Sequence, residues 1–341
     1  MINERDFLIY RNRLLKALGL RREKRKDMDP WLLPPSRRTA GAREGIAIAA
    51  IFKDEAPYLE EWIEFHALLG VRAFFLYDNG STDGSAMLLD AGGFSASVTR
   101  LPWWSFDGMQ STQNFAHAHM LANFAADYRW VAFIDVDEFL MPTEGESLGA
   151  TLEQFEHLPC VSLPWICFGP NGHKTRPEGL VIESYTERAA LPHEPRQFSL
   201  LRYKSIVDPA AVTRAGVHHF GLEGRGNVFI NEAGEAASPE EARREGFPRS
   251  EHLRLHHYFT RSEAELEAKL DKGRVSKNGE VDRSTYPRRM AQFALSAHRD
   301  ETALRFAPAL KTRLAARQSA GGAAIDPTTD PTTDPAPEHA S

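Results

Sequence analysis

The chain has 341 residues, 42% hydrophobic and 26% charged, with a formal net charge of −6; this is enough apolar material for a real core and points to one large or two small domains. The acidic balance excludes a general attraction to nucleic acid. No run approaches the roughly 18 apolar residues of a membrane span, and the start lacks the zones of a signal peptide, so the expected location is cytoplasmic.

The charge is uneven. Up to Gly45 there are 12 Lys/Arg against six acids. Within this stretch Phe7, Tyr10, Leu14 and Leu18 recur at helical spacing among Arg11, Arg13 and Lys16, the pattern of an amphipathic basic helix. Such a helix either packs on the domain with a solvated basic face or makes peripheral contact with the anionic inner face of a membrane. Asp29, Pro30 and Pro34-Pro35 end it and form a linker.

Strands and helices then alternate. Ile46–Phe52 is a continuous apolar run, as in a strand buried on both faces. Pro57 opens a helix in which Leu59, Trp62, Ile63, His66 and Leu69 share a face, and Gly70 stops it. A second strand covers 73–77 and ends at Asp78. Thr82 or Asp83 can cap a helix through Met87 to Leu89 that Gly92-Gly93 terminate. A weaker strand at 96–101, a helix at about 110–126 and a strand at 130–134 follow.

This alternation predicts a mostly parallel sheet flanked by helices, with ligands bound beyond the carboxyl ends of the strands. Asp54, Asp78 and Asp135 each stand at or just past such an end, so three segments should meet at one crevice. After Pro142 the pattern is less regular, with short runs at 160–166, 180–183 and 199–207. A late helix at 262–270 opens on the capping box Ser262-Glu263-Ala264-Glu265. From about Gln318 the Ala, Gly, Pro, Thr and Asp composition predicts a disordered tail. Cys160 and Cys167 are too few for a disulfide framework, and their spacing is not that of a zinc site.

Two acidic clusters carry the chemistry, Asp78-Asn79-Gly80-Ser81-Thr82-Asp83 and Asp135-Val136-Asp137-Glu138-Phe139. Residues two apart in an extended segment project to one side, so Asp135 and Asp137 can face one cavity while Val136 points into the core. An Asp-x-Asp triplet arises by chance about once in a chain of this length. Its position directly after an apolar strand gives it weight, because acids buried there need a cation or donors, and paired carboxylates suit Mg2+ or Mn2+ bridging a diphosphate.

Three segments resemble glycosyltransferases of the family 2 type, closest to the branch related to family 92. They are the run from Lys53-Asp54-Glu55-Ala56-Pro57 to Trp62, the turn from Asp78 to Asp83, and Ile134-Asp135-Val136-Asp137-Glu138-Phe139-Leu140. Further matching stretches are Trp165 to His173, Lys204-Ser205-Ile206-Val207, His218-His219 and His257-Tyr258-Phe259-Thr260-Arg261-Ser262, in order over about 45–274.

The resemblance implies a GT-A fold: a Rossmann-like, mostly parallel sheet flanked by helices, with a smaller mixed C-terminal acceptor-side region. On that plan residues 1–44 are the basic helix and linker, and 45–142 the nucleotide-sugar-binding half. Residues 143–317 are the acceptor-side half with C-terminal helices, and 318–341 the tail. It implies a nucleotide-sugar donor, a glycan or lipid-linked acceptor and a divalent cation, Mn2+ or Mg2+.

Asp54 or Glu55 and Asp78 would then lie near base and ribose, with Asp83 either beside them or a helix cap. Asp135 would lie near the sugar and the metal, and Asp137 would bind the metal directly. His218, His219, His256 and His257 are candidates for a late histidine ligand, His219 and His257 foremost. His256 stands where the family usually has Asn, which leaves open which neighbour faces the site.

Trp165 and Phe168 are candidates to stack on an acceptor sugar, and His173 to bond acceptor or phosphate. Lys204 and Arg254 are candidates to neutralise the leaving diphosphate. An acceptor base is not singled out; Glu138 and Glu183 are the candidates. The leading expectation is therefore a metal-dependent, inverting glycosyltransferase. A nucleotidyltransferase and a non-catalytic sugar-nucleotide or glycan binding module are the alternatives.

Overall fold

The computed structural model describes residues 43–104, 112–191, 201–271 and 298–320. The expected basic helix and linker, and nearly all of the expected tail, lie outside these residues.

The first half alternates as its pattern predicts. Strand β1 (Ile46–Phe52) is followed by helix α1 (Ala56–Leu68), strand β2 (Val71–Asp78), helix α2 (Ser85–Ala91) and strand β3 (Ser97–Pro102). Helix α3 (Thr112–Asn123) leads to β4 (Trp130–Phe133) and, after the acidic loop, β5 (Glu138–Pro142). Beyond them come α4 (Leu148–Glu153), β6 (Cys160–Cys167), α5 (Val181–Ser184), β7 (Glu187–Arg188) and β8 (Tyr203–Val207). The strands β9 (Val212–Arg214), β10 (Phe220–Leu222), β11 (Gly226–Ile230) and β12 (Ala236–Ala237) precede β13 (Leu253–His257). The last described elements are α6 (Glu263–Asp271), β14 (His298–Arg299) and α7 (Ala307–Ser319).

The main sheet has the order β3-β2-β1-β4-β8-β6-β13-β5, and β9 to β12 form a separate sheet. Strands β3, β2, β1 and β4 run parallel, as do β6 and β13. Strand β8 is antiparallel to both its neighbours, and β5 to β13. The expected mostly parallel α/β sheet is therefore present, with smaller antiparallel sheets beside it.

The sheet order explains the shape of the site. β4 and β5 are consecutive in sequence but have three strands between them. The link from Phe133 to Glu138 can reach at most about 18 Å, whereas four strand spacings of about 4.8 Å span about 19 Å on a flat sheet. The sheet must curl, and the acidic loop crosses its concave end.

Ile46 to Ala50 on β1 and Val131 to Phe133 on β4 are almost inaccessible to solvent, which is why both read as unbroken apolar runs. Helix α1 covers this sheet with Leu59, Trp62, Ile63 and Phe65, and its His66 is wholly buried. The His66 Nδ1 donates to the Trp62 carbonyl at 2.8 Å and its Nε2 accepts from the Leu140 amide at 3.0 Å. Trp62 Nε1 donates to the Glu138 carbonyl at 2.7 Å, so α1 holds the first half of the strand that follows the acidic loop.

Two expectations are refined. Of residues 180–183, Leu180 caps and 181–183 open the short helix α5, whose first amides donate to the buried Glu61 carboxylate, Val181 at 2.8 Å and Ile182 at 3.3 Å. The predicted tail begins within α7, where Arg317 donates to Glu60 at 2.7 Å and lies over the Phe94 ring. Among the described residues no helix is long and apolar enough to cross a membrane.

Candidate active site

The carboxyl ends of β1, β2 and β4 bring the three predicted segments together, but their acids divide into two groups. Asp54 and Asp78 tie the loops to one another. Asp54 Oδ1 accepts from the Thr82 amide at 2.7 Å, the Asp54 amide donates to Ser81 Oγ at 2.9 Å, and Asp78 Oδ1 accepts from the Ser81 amide at 2.8 Å. Asp78 Oδ2 also lies 3.4 Å from Arg100. Asp54 adopts φ +55, a left-handed conformation uncommon for a residue with a side chain. Between them Gly80, at φ +75, faces Trp104 so closely that an added Cβ would lie 2.9 Å from the indole.

Asp83 spans two helix starts. Its Oδ2 accepts from Ala56, the first residue of α1, at 2.9 Å, and its Oδ1 accepts from the Ser85 amide at 3.0 Å and hydroxyl at 2.6 Å. A carboxylate at a helix N-terminus satisfies amides that have no partner within the helix and complements the dipole.

The second group lines a cavity of about 340 Å³, to which Glu55, Gln113, Asp135, Asp137, Trp165 and His257 all contribute. Lys204 Nζ, on β8, stands 2.8 Å from Asp135 Oδ2 and 3.8 Å from Glu138 Oε2, and Gln113 of α3 donates to Asp135 Oδ1 at 3.1 Å. Lys204 is only 2% exposed. Burial pulls its ammonium pKa down, but Asp135 and Glu138 more than offset this, so its pKa is raised.

Asp137 is equally enclosed. Its Oδ1 lies 3.4 Å from His257 Nε2, and Lys269 Nζ of α6 contacts Oδ2. Burial would raise its pKa, yet Lys269 and His257 hold the carboxyl well below the usual range. Glu138 is wholly buried, which pushes its carboxyl well above the usual range against the pull of Lys204. One of its oxygens accepts from the Asp135 amide at 2.9 Å, and the other has no hydrogen-bond partner among the described residues.

These placements suit a hard cation. Ligand atoms of Asp137, Glu138 and His257 lie within 4.8 Å of one another, and two carboxylates with one imidazole are an acceptable donor set for manganese or magnesium. The partnerless oxygen of Glu138 adds an acceptor that a cation could satisfy.

Strand alternation decides between the neighbouring histidines. His257 faces Asp137, with its ring centroid 4.2 Å from that of Trp165. His256 turns to the opposite face, against Phe168 at 4.6 Å, where burial drives its pKa down to about 3. His218 lines the cavity, and its Nδ1 donates to the Tyr203 carbonyl at 3.0 Å. His219 instead packs on Phe229.

Other predicted residues lie outside the cavity lining. His173 bonds the Ser184 carbonyl at 3.1 Å through Nε2, and its own carbonyl accepts from Glu263 at the start of α6. Phe168 is core, Arg254 pairs with Asp300 at 3.0 Å, and Glu183 pairs with Lys311 at 2.7 Å.

Lys269 and Arg261 escaped the sequence reading. Arg261, at φ +47, donates to Glu55 Oε2 at 2.8 Å and lies 3.4 Å above the Tyr58 ring. A signal for Lys269 was present. It falls three residues after Leu266, on the face of the predicted helix that the apolar residue marks as buried.

The model of glycosyltransferase family 92 matches residues 45–241. The chain belongs to glycosyltransferase family 92. β13 and α6, which bring His257 and Lys269 to this family 92 site, lie beyond the matched residues.

Two curated relatives of the family are similar to it. A family 92 protein of Oryza sativa subsp. japonica is 34% identical over 195 residues, covering 54% of this chain and 31% of that protein. A family 92 protein of Arabidopsis thaliana is 29% identical over 214 residues, covering 58% and 35%. The chain thus spans about a third of the length of the curated relatives it matches. A crystal structure of apo UDP-glucose pyrophosphorylase superposes with a TM-score of 0.28 at 9% identity, covering 81% of this chain and 98% of that one. That likeness is too low to bear on fold or function.

Proposed function

We propose that this protein is a metal-dependent glycosyltransferase of the GT-A type. In this reading it moves a sugar from a nucleotide diphosphate to a glycan or lipid-linked acceptor with inversion, using manganese or magnesium. The observation that carries the proposal is the convergence of Asp135, Asp137 and His257 on one cavity beyond the strand ends of a family 92 chain, with a Glu138 oxygen within 4.8 Å of the Asp137 and His257 ligand atoms. Catalysis would take place on the cytoplasmic side, with the basic N-terminal segment contacting the membrane surface.

Asp137 and His257 are the residues that would hold the cation, with Glu138 behind them and Asp135 adjacent. When bound, the ion supplies counter-charge to a diphosphate leaving group. The chain's own groups do the rest. Lys204 keeps Asp135 fixed from below, and Gln113 orients its other oxygen. Glu55, held by Arg261, lines the cavity and would offer an acceptor to the nucleoside. Trp165 forms an apolar wall beside His257 and His218, suited to the face of a sugar ring.

Glu138 is wholly buried and one of its oxygens accepts from the Asp135 amide at 2.9 Å, so it braces the acidic loop and is shielded from an acceptor hydroxyl. The test is a panel of nucleotide sugars with purified protein and Mn2+ or Mg2+, followed by release of the nucleoside diphosphate. Ion-dependent release from one donor is the expected result.

A further inference from the structure

Among the described residues, Lys204 and Lys269 set ammonium groups against the carboxylates of the acidic loop, and the two differ in freedom. Lys204 is 1% exposed in its side chain, on a strand inside the sheet, between Asp135 and Glu138. Lys269 is 37% exposed, projects from α6 and contacts Asp137. The first cannot leave without exposing a buried ion pair; the second can.

Helix α6 does not have to move for this. The Glu263 and Ala264 amides donate to the carbonyls of His173 and Lys174 at 3.0 Å each. Ser262 and Glu265 complete the predicted capping box, with Ser262 Oγ donating to Glu265 at 2.6 Å, and Leu266 is 1% exposed. With the helix anchored at its start, the four-carbon stem of Lys269 is the movable part. Its Nζ already lies 4.1 Å from the centre of the Phe259 ring, a second surface that can accept a cation.

A divalent ion and an ammonium compete for the same buried carboxylate, because like charges in contact repel strongly where water is scarce. In the structure Lys269 occupies the Oδ2 side of Asp137, whose side chain is only 6% exposed. We infer that Lys269 is the exchangeable cation of the Asp137 site: it holds the divalent ion's place in the nucleotide-free protein and transfers to the diphosphate when metal and nucleotide enter together.

This inference rests on the metal reading proposed above. It makes metal alone a weak ligand and couples metal binding to nucleotide binding. Displaced from Asp137, the ammonium stays in the wall of the same cavity, where a diphosphate on the metal would meet it.

The test titrates the full chain with Mn2+ alone and follows the free aquo-ion signal by electron paramagnetic resonance. Lys269→Met should bind Mn2+ about tenfold or more tightly than the wild type, within the usual range for coupled sites, and Lys269→Arg should bind as weakly as the wild type. Asp137→Asn should remove binding from both backgrounds. If Lys269→Met fails to fold, Lys269→Gln, which keeps a hydrogen-bond donor without the charge, serves the same comparison. Equal or weaker Mn2+ binding in the uncharged variant, with the Asp137-dependent site intact, overturns the inference and leaves the metal reading standing. Absence of Asp137-dependent Mn2+ binding in every variant overturns both.

Discussion

Lys204 on β8 stands 2.8 Å from Asp135, which lies in the loop after the adjacent strand β4, and its ammonium forms a buried pair with Glu138 at 3.8 Å. Removing one partner of a buried pair leaves an uncompensated charge and typically costs about 3 to 5 kcal/mol. Lys204→Met should therefore lower unfolding stability by about that amount, as measured by urea denaturation. A variant as stable as the wild type would show that the pair is solvated in solution.

Asp83 has a structural use that its substitution should expose. Asp83→Ala removes acceptors from the starts of two helices, α1 and α2. The loss should be about 1 to 2 kcal/mol, as for a helix cap. The KM for the donor should stay within about threefold of wild type, a difference of less than about 1 kcal/mol. A KM effect much larger than the stability effect would place Asp83 against the nucleotide instead.

Arg261 and Glu55 join the segment after β13 to the start of α1, and both are largely buried. A double-mutant cycle of Arg261→Gln and Glu55→Gln, read in unfolding free energy, should give a coupling of about 1 to 3 kcal/mol, as for residues in contact. Additive single effects would mean that the pair contributes nothing.

Acid should destabilise the fold from near pH 6.5 downward. His66, His117, His218 and His256 are buried, and burial lowers their pKa values to about 3, 4, 4 and 3. An unfolded histidine takes up a proton near pH 6.5 while the folded one does not, so the unfolded state gains protons first and stability is lost as pH falls. Each such group contributes up to about 1.4 kcal/mol per pH unit in that window. Glu61, raised by burial to about 7, acts in the opposite sense between about pH 4.5 and 7, since it keeps a proton that the unfolded chain has lost. Burial also raises Glu138, Glu232 and Glu265 and lowers His119, His219 and His257; seven histidines against four glutamates leave a net loss, which thermal melts at pH 7, 6 and 5 should record as a falling Tm.

Much of this was legible because local pattern and topology agree in the first half. β1 and β4 are buried on both faces, so each reads as an apolar run ending in acids, and the parallel-sheet rule places those acids at one end. Residue pattern cannot show which acids turn inward. Asp54 and Asp83 have the same local setting as Asp135, and only the hydrogen bonds between loops separate them. Lys204 gives no signal of burial, because its partners Asp135 and Glu138 come from a distant segment. β5 was hidden by its closeness to β4, since a strand beginning directly after the acidic loop requires a curled sheet that no local pattern encodes. The histidine pair on β13 was ambiguous for a simpler reason: alternation says that the two neighbours face opposite ways, but not which way.

The central claim is that the Asp137 cavity carries out metal-dependent glycosyl transfer. Its most direct measurement is nucleoside diphosphate release from a panel of nucleotide sugars, by wild type and Asp137→Asn, with Mn2+, with Mg2+ and with a chelator. One donor hydrolysed by the wild type with a divalent ion, and lost with Asp137→Asn or chelator, is the predicted result. Release from no donor with any ion, or release unaffected by both the substitution and the chelator, would contradict it.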